Sequence, residues 1–517
     1  EIATASLQLR TLSAEGPPVA LDHHLKTGNA LVGSDLEAFA DCASSDGLAG
    51  DDATRLQTEP TRDGVFEQTD GREPRDRRQR LEAMANVHTA REFGLEGIPD
   101  DALERLAAAL ESNDDWESLA RTEWFTAAQR WADEEGYFHW ELEFPEIYVD
   151  GDDDADADGD ANGDDDRLEA PGFDAVLGNP PWVATAGRGT ISATIDAGLR
   201  SYLEDTFSAT ENQFDLYVAF YEQSIRLSRD GRVGIVVPDS ILAREGNEPI
   251  REYVLSETSL AEIVRVGTAF DGVESGVAIL VSGGDGTDVR CADATTEADL
   301  ASLSADSDRV NSIPASVFEA QDASRFLVYL DRETRSICST VATHPPLGDA
   351  VSVSRGEEIS KRADILRERS GPTTRPIAPG SAVCRYGIDA DELRFVEPTD
   401  LEKPARNYES PKLAVRQTSD SLVGTYDADG LATIKSVYNV RSDADSSAEL
   451  KHLLGALHSS ALAFYHHYTH AAYRAVFPQI NQSTLEGLPV PMAAGPDGEL
   501  VAAVEKRLAL TADRAAI

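Results

Sequence analysis

A chain of 517 residues, 41% of them hydrophobic, is long enough for about three or four domains and can bury a substantial core. Its 93 acidic and 46 basic residues give a net charge of −47, and only seven of the basic residues are lysines. That composition is typical of a halophile, in whose molar salt the repulsion between surface carboxylates is screened. The sequence has no apolar run of the ~18 residues that a membrane span requires and no signal-peptide pattern, so we expect a cytoplasmic protein.

Two features that could indicate a metal site do not fit one. The four cysteines lie far apart without a Cys-x-x-Cys pair, so they predict neither a zinc site nor a disulfide framework. The acidic tract 151–166 has the spacing of a calcium-binding EF-hand loop, but it ends in Asp rather than Glu and lacks amphipathic helices on both sides. We predict a disordered acidic loop over 151–167, ordinary cytosolic thiols and no metal.

The first part of the chain is predicted to be mainly helical. Residues 1–35 have the pattern of a helix, a short turn and a strand. Residues 36–150 are irregular at first and then have helical periodicity, and they contain four of the five tryptophans. We therefore predict a helical insert with a small aromatic core of its own, built on Trp116, Trp124, Trp131 and Trp140.

Residues 168–330 alternate between strand and helix patterns. The segment 214–227 has apolar side chains at helical spacing. Strand-like apolar runs lie on both sides of it, namely FDAVLG (173–178), RVGIVVP (232–238), LAEIVRVG (260–267) and GVAILVSG (276–283). This alternation predicts a doubly wound α/β sheet, whose ligands bind at the carboxyl ends of the strands.

The tetrapeptide Asn179-Pro180-Pro181-Trp182 follows the first of these strands and has the groups to bind a planar amine. The Asn179 side-chain oxygen and the Pro180 carbonyl can both accept hydrogen bonds from one exocyclic NH₂ group, which would localise the nitrogen lone pair. Trp182 offers a flat face on which a base can stack, and a base reaches such a site only by flipping out of the duplex. The alternative interpretation, a strand-end turn with incidental prolines, stays open on these four residues alone.

The carboxyl-terminal part of the chain is much less acidic than the rest. Residues 331–480 contain 18 Lys plus Arg against 20 Asp plus Glu, a net charge of −2. In so acidic a chain, this near-neutral region is relatively electropositive, as a surface that contacts a phosphate backbone must be. A buried or oligomer-facing surface would show the same bias.

The FDAVLGNPPW run resembles motif IV of the amino-methyltransferases, and its surroundings resemble the type IIG and BREX-type adenine methylases of restriction-modification systems. FHWELEFPEIY (138–148) resembles the stretch ahead of their motif IV strand, 214–242 resembles motifs V and VI, and 260–281 resembles motifs VII and VIII. LDHHLKTGNALVG (21–33) is similar to motif III. The resemblance implies that Phe270 stacks on the target base, and that Gly28, Asn29 and Phe220 contact the cofactor S-adenosylmethionine.

Four segments after residue 331 are similar to the Taq-type specificity domain: RGEEISK (355–361), PKLAV (411–415), residues 453–468 and NQSTLEGLPVP (481–491). The resemblance implies an α+β target-recognition domain over 331–495, followed by a carboxyl-terminal helix over 496–517. Arginine, lysine and glutamine are the side chains suited to phosphates or base edges. We expect Lys412 and Lys435 to contact phosphates and Arg416 with Gln417 to contact base edges, within a DNA-binding set of Lys361, Arg362, Arg385, Lys412, Arg416, Gln417, Lys435 and Arg474.

Taken together, the resemblance implies a Rossmann-like S-adenosylmethionine-dependent methyltransferase sheet that methylates a flipped adenine in double-stranded DNA. The family's Gly-rich motif I and acidic motif II are not found ahead of residues 1–12, which predicts a fragment whose cofactor pocket is completed by an upstream region of the same protein or by a separate subunit. A cytosine-N4 methyltransferase and a non-catalytic DNA-binding remnant remain as alternatives. A glutamine methyltransferase of release factors is disfavoured, because that family lacks a carboxyl-terminal reader.

Overall fold

The protein is described here from a computed structural model. The residues that the structure describes are 24–34, 73–110, 112–148, 172–183, 195–211, 214–267, 276–303, 310–359, 363–419, 421–442, 444–471, 479–492 and 495–515. The chain divides into two compact units, the first made of 1–290, 294–300 and 314–325, and the second of 291–293, 301–313 and 326–517. The acidic tract 151–166 lies outside the described residues.

The first unit begins with helices. They are α1 (Glu73–Glu92), α2 (Ala102–Ala108), α3 (Asn113–Ala120), α4 (Glu123–Glu135), α5 (Trp140–Glu143) and α6 (Pro145–Tyr148). Leucine, alanine and methionine side chains, Met84, Leu103 and Leu106 among them, fill the core between α1, α2 and α4. Trp116 and Trp124 pack at the margin of this core against Phe125. Of the four tryptophans predicted to build this core, only Trp116 and Trp124 lie at it, and aliphatic side chains form its centre. Trp131 packs against Phe93, and Trp140 packs with Phe138 and Phe144.

The turn that ends α4 determines where the next segment lies. Gly136 takes the left-handed conformation, with φ of 68°, and closes the helix. Its carbonyl oxygen accepts a 2.6 Å hydrogen bond from the Asn29 backbone N–H. Residues 24–34 are thereby held against 136–140 as a turn with a single bridge, Asn29 to Tyr137. The strand expected near the end of 1–35 was wrong for these residues, because the Asn29 side-chain and backbone oxygens accept from Leu31 and Val32 and close a turn instead.

A β-sheet follows in the first unit, together with the helices α7 (Ala197–Thr206), α8 (Leu216–Leu227) and α9 (Glu248–Glu257). Its strands β1 (Val176–Gly178), β2 (Val233–Pro238), β3 (Leu260–Gly267) and β4 (Val277–Ser282) confirm the four predicted runs. β1 and β2 are parallel, with Gly178 opposite Ile235. β4 lies between β2 and β3 and is antiparallel to both. The unit is thus α/β, as predicted, but the sheet is mixed.

The first unit also contains α11 (Ala315–Glu319) and the short 3-10 helices Asp239–Leu242, Glu245–Asn247 and Asp322–Ser324. Three elements are divided between the two units: β5 (Asp288–Asp293), α10 (Glu297–Ser302) and β6 (Val310–Pro314). Among the described residues, no helix combines the length and the apolarity needed to cross a membrane.

The second unit contains both strands and helices. Its largest sheet has the order β13-β12-β15-β7 and is antiparallel throughout, and smaller sheets are formed by β11-β8-β14 and β10-β9. The strands are β7 (Val351–Arg355), β8 (Arg375–Ala378), β9 (Val383–Cys384), β10 (Gly387–Ile388), β11 (Arg394–Val396), β12 (Lys412–Arg416), β13 (Gly424–Asp427), β14 (Ala432–Thr433) and β15 (Val437–Ser442).

The helices of the second unit are α12 (Arg332–Val341), α13 (Ser447–Leu457), α14 (Ser460–His466), α15 (Gln482–Glu486) and α16 (Gly498–Ala515). Leucines of α13, such as Leu453 and Leu454, form one buried cluster with Leu413 and Val440 of the sheet. Helix α13 also packs on α16, the predicted carboxyl-terminal helix. Of the cysteines in the described residues, Cys291 and Cys338 are buried as expected, whereas Cys384 is exposed.

Candidate functional site

The tetrapeptide 179–182 lies immediately after β1, as the sequence predicts. Asn179 and Pro181 are exposed, Pro180 is buried and Trp182 is half-buried. Because β1 and β2 are parallel, the segments that follow them, Asn179 and Asp239, lie at the same edge of the sheet. The exposed amide of Asn179 is therefore presented at the edge where the ligands of such sheets bind.

Helix α8 fixes the end of the tetrapeptide. The backbone N–H of Leu216, the first residue of α8, donates a 2.9 Å hydrogen bond to the carbonyl oxygen of Val183. This N–H is one of those that a helix amino terminus leaves without an intrahelical acceptor. The neighbouring Asp215 carboxylate accepts a 3.0 Å hydrogen bond from Arg244. The bond to Val183 ties the backbone beyond Trp182 to the helix.

A buried ion pair at the same edge was not found by the sequence analysis. Arg265 of β3 donates from Nε to the Asp239 carboxylate at 2.9 Å. The pair crosses over β4, where Ala278 is paired with Arg265 on one side and with Val237 on the other. Gly276 is required beside it, because a Cβ there would lie 2.2 Å from an Asp239 carboxylate oxygen. The sequence signal that could have identified this pair is Asp239, a charged residue directly after the apolar strand β2.

Phe270, the predicted base-stacking partner of Trp182, lies outside the residues that the structure describes. It belongs to the segment 268–275. The pairing of Trp182 with Phe270 around a flipped base stays a prediction.

The candidate cofactor residues Gly28 and Asn29 lie together in the turn against 136–140. Gly28 is exposed, and any side chain at this position would lie 2.5 Å from the Phe138 ring. The Asn29 side-chain oxygen accepts a 3.3 Å hydrogen bond from the Leu31 backbone N–H, so the side chain is oriented with its NH₂ group available as a donor. The turn thus presents one exposed backbone position, Gly28, beside one oriented amide, Asn29.

Phe220, the third candidate cofactor residue, is half-buried on α8. It lies one helical turn after Leu216 and therefore on the same face of α8 as Leu216, whose backbone N–H binds Val183. The helix carries one predicted cofactor contact and anchors the tetrapeptide.

An aromatic cluster connects the 28–34 turn to the start of β1. The indole N–H of Trp140 donates a 3.1 Å hydrogen bond to the Ala30 carbonyl oxygen. The Trp140 ring meets Phe173 edge-on at 5.9 Å, and Phe144 lies 5.5 Å from Phe173. Phe173 leads into β1, so the turn and the tetrapeptide share one rigid support. Trp140, predicted to belong to the core of the helical insert, packs here instead.

The second unit holds the residues predicted to bind DNA. Arg385 is exposed and donates a 2.7 Å hydrogen bond to the His458 carbonyl oxygen. Arg416 is half-buried at the end of β12 and donates from Nε to the Thr418 carbonyl oxygen at 2.6 Å. Gln417 accepts a 3.2 Å hydrogen bond from the exposed Arg355. These contacts orient the side chains and leave other guanidinium N–H groups of Arg385 and Arg416 to donate elsewhere.

Lys412 does not have the surface position expected of a phosphate-binding residue. Its side chain is 0% exposed, lies 3.6 Å from the equally buried Asp427, and donates to the carbonyl oxygens of Asn407 and Leu431. Burial lowers the pKa of Lys412 to about 8, against the opposing effect of Asp427. The predicted phosphate contact was wrong, because this ammonium group belongs to the interior of the unit.

Lys435 is the remaining lysine of the predicted DNA-binding set within the described residues. It is 43% exposed and forms a 2.7 Å ion pair with Glu358, so it lies at the surface as expected. Lys361, Arg362 and Arg474 lie outside the described residues, and their roles stay predictions.

Comparison with known families finds two matching regions in the chain. Residues 69–270 match the Eco57I restriction-modification methylase family. Residues 375–490 match the TaqI-like C-terminal specificity domain. The chain therefore contains a restriction-modification methylase domain and a specificity domain. The methylase match includes the helices from α1 onward, the tetrapeptide 179–182 and Phe270.

Two curated proteins illustrate this similarity. The chain is 26% identical over 98 residues to the type II restriction enzyme and methyltransferase RM.Eco57I of Escherichia coli, a match that covers 19% of this chain and 9% of that protein. It is 28% identical over 109 residues to the type II methyltransferase M.TthHB8I of Thermus thermophilus, which covers 21% of this chain and 25% of that protein. The matched segments thus span a quarter or less of the length of these relatives.

Several solved structures are also similar to the chain. The type IIG restriction endonuclease BpuSI is 13% identical, with a TM-score of 0.32, over 88% of this chain and 62% of that one. The type IIL restriction-modification enzyme MmeI in complex with DNA is 12% identical, with a TM-score of 0.41, over 86% and 64%. A nuclease-deletion mutant of the type ISP enzyme LlaGI, in complex with a DNA substrate mimic, is 14% identical, with a TM-score of 0.41, over 84% and 42%.

Proposed function

We propose that this protein is an adenine-specific DNA methyltransferase of a restriction-modification or phage-defence system, which transfers a methyl group to the N6 amine of a flipped-out adenine. The observation that carries the proposal is the position of Asn179-Pro180-Pro181-Trp182 directly after β1, with the Asn179 amide exposed at the ligand-binding edge of the sheet. The match of residues 69–270 to the Eco57I methylase family supports it.

The tetrapeptide supplies the chemistry that a weakly nucleophilic aromatic amine needs. The Asn179 side-chain oxygen and the Pro180 carbonyl accept the two N–H groups of the target amine, which draws the nitrogen lone pair out of conjugation with the ring. The Trp182 face stacks on the base and supplies part of the energy lost on unstacking it, about 1–3 kcal/mol for a base–aromatic contact. The bond from Leu216 to Val183 holds this backbone in place before the base arrives.

S-adenosylmethionine, when bound, supplies an electrophilic methyl group and leaves as the neutral thioether. Within this chain, Gly28, Asn29 and Phe220 would hold its adenine ring. The exposed turn at Gly28 and the oriented Asn29 amide support this assignment. The amine proton that is lost on methylation passes to solvent.

The second unit reads the DNA target. Arg385 and Lys435 contact the phosphate backbone, and Arg416 with Gln417 contacts base edges in the major groove. The match of residues 375–490 to the TaqI-like specificity domain and the near-neutral charge of this region in an acidic chain support the role. We assign a DNA contact to Lys361, Arg362 and Arg474 as well, on the resemblance of their region to a specificity domain.

Product analysis tests the target base. The full-length enzyme is incubated with unmethylated duplex DNA and S-adenosylmethionine, and the hydrolysed nucleosides are separated by mass spectrometry. The proposal predicts N6-methyladenine. N4-methylcytosine as the product would show that the target base is cytosine rather than adenine. The absence of any methylated nucleoside at saturating cofactor would contradict the proposed activity.

A further inference from the structure

The 28–34 turn ends in a dense set of side-chain hydrogen bonds. The Ser34 backbone N–H donates to Nδ1 of His139 at 3.0 Å, and the Ser34 hydroxyl lies 2.7 Å from both His88 Nδ1 and Thr89 Oγ1. His139 is 4% exposed and Thr89 is 1% exposed. His88 and Thr89 belong to α1, and His139 comes directly before α5. The helical part of the unit therefore holds the end of this turn through side chains.

The partners of His139 assign its tautomer. Nδ1 accepts from Ser34, so Nε2 carries the proton and donates to the Asn86 side-chain oxygen at 2.9 Å. Asn86 in turn donates to Gln129 Oε1 at 2.9 Å, and Gln129 donates to the Ala83 carbonyl oxygen at 2.9 Å. The chain of bonds runs from the turn into α1 and α4, and every member has a partner.

Burial keeps this histidine neutral. Desolvation lowers the pKa of His139 to about 4, against the raising effect of Glu143. At neutral pH the ring therefore keeps its lone pair on Nδ1, which is the atom that accepts from Ser34.

Tyr202 of α7 holds the residue before Ser34. Its hydroxyl donates to the Gly33 carbonyl oxygen at 2.9 Å and accepts from the Gly33 N–H at 3.3 Å. The ring is 4% exposed and lies 5.3 Å from the Phe93 ring. Gly33 itself has no space for a side chain, since a Cβ would lie 2.0 Å from the Phe138 carbonyl oxygen. The Tyr202 hydroxyl thus binds both the N–H and the carbonyl oxygen of Gly33, a position that is closely packed against Phe138.

We propose that His139 and Tyr202 are positioning residues that hold the 28–34 turn in the conformation that receives the adenine ring of S-adenosylmethionine. The proposal rests on the proposed function for its ligand. It gives the helical insert a specific role, because Asn86 of α1 and Gln129 of α4 hold the His139 ring that binds Ser34. Tyr202 of α7, outside the insert, holds Gly33. Neither residue touches the cofactor; each acts through the backbone of the turn.

Two substitutions of His139 distinguish the contribution of its bond to Ser34 from that of its bond to Asn86. In His139→Asn the amide oxygen lies near the place of Nδ1 and can accept from Ser34, whereas in His139→Gln the amide nitrogen lies near the place of Nε2 and can donate to Asn86. Hydrogen–deuterium exchange of the full chain, resolved to the Ser34 amide, should show roughly 10-fold faster exchange in His139→Gln and a rate close to wild type in His139→Asn.

Tyr202→Phe removes a single hydroxyl and should accelerate exchange at Gly33 by roughly 10-fold. The matched control is Tyr408→Phe in the second unit, where the lost hydroxyl donates to the buried Glu357 carboxylate. This substitution should accelerate amide exchange near Glu357 and leave the exchange rates of Gly33 and Ser34 unchanged. Equal exchange rates in wild type and His139→Gln, or equal acceleration in the Gln and Asn variants, would overturn the proposal.

Kinetics of the full-length enzyme distinguish positioning from a general structural role. His139→Gln and Tyr202→Phe should raise the KM for S-adenosylmethionine about 10-fold with kcat nearly unchanged. His139→Asn, which keeps the acceptor for Ser34, should have a KM close to that of wild type. A lowered kcat at unchanged KM would contradict the proposal. If the wild-type enzyme transfers no methyl group, the proposed function fails, whereas the exchange experiment still decides whether these side chains hold the turn.

Discussion

The guanidinium group of Arg265 and the carboxylate of Asp239 form a 2.9 Å ion pair with both side chains nearly buried, 9% and 14% exposed. The two residues come from β3 and from the segment after β2, and β4 lies between them. The pair therefore ties together the ends of strands that are not hydrogen-bonded to each other, at the edge where Asn179 lies.

Removing one partner of this pair should destabilise the protein strongly. Arg265→Met leaves the Asp239 carboxylate buried without its cation, a change that typically costs about 3–5 kcal/mol. The double variant Arg265→Met with Asp239→Asn should recover part of that loss, because no buried charge remains. Urea unfolding measures the free energy of unfolding of each variant.

The control for this prediction is an exposed ion pair between Glu117 of α3 and Arg121, the residue directly after that helix. Arg121 and Glu117 are 77% and 65% exposed, so Arg121→Met should cost less than about 1 kcal/mol. Equal losses for Arg265→Met and Arg121→Met would show that the buried pair has no special role.

The buried Lys412 gives a pH dependence with a defined sign. Its pKa in the folded protein is lowered to about 8 from an ordinary value of 10.5, so between these pH values the unfolded chain binds a proton that the folded chain has released. The free energy of unfolding should therefore rise with pH across this interval. Replacement of Lys412 by Met should flatten the rise relative to wild type, as measured by urea unfolding at several pH values. An identical pH dependence in the two proteins would contradict the lowered pKa.

The sequence predicted the strands and the position of the tetrapeptide because both depend on local patterns. Short apolar runs form buried strands, and Asn179 follows one of them directly. The antiparallel insertion of β4 between β2 and β3 could not be predicted in this way, since strand order is set by pairing between distant segments. The burial of Lys412 depends on Asp427 and on the carbonyl of Leu431, contacts that periodicity does not encode.

His139 was missed for a similar reason. A lone histidine in an aromatic stretch has no special pattern, and its role depends on Ser34 and Asn86, which lie 105 and 53 residues earlier in the chain. The strand predicted near the end of 1–35 is absent from 24–34, because the Asn29 side chain accepts from the Leu31 backbone N–H and closes a turn.

Lys435 and Arg416 should affect DNA binding in different ways. Lys435→Ala should weaken binding to all sequences alike and lower the slope of log affinity against log salt by about 1, since it removes one phosphate contact. Filter binding over a salt series measures this slope. The exposed Lys506→Ala on α16 is the control, with an unchanged slope. A sequence-dependent loss for Lys435→Ala would contradict its role as a phosphate contact.

Arg416→Ala should relax the recognised sequence, because a bidentate contact to a base edge typically contributes about 1–3 kcal/mol of discrimination. Sequencing the methylated sites in cells that carry the variant should reveal related sites that wild type leaves unmodified. An unchanged motif at undiminished occupancy would exclude a reading role for Arg416.

Single-turnover methylation by Asn179→Ala tests the central claim most directly, namely that the tetrapeptide after β1 activates the target amine. The substitution removes one of two acceptors, a loss of about 3 kcal/mol in the transition state by analogy with removal of one oxyanion-hole donor. The full-length variant should transfer methyl groups at least ~10²-fold more slowly while binding DNA as wild type does, and the exposed Asn113→Ala should be fully active. Undiminished methyl transfer by Asn179→Ala would contradict the account.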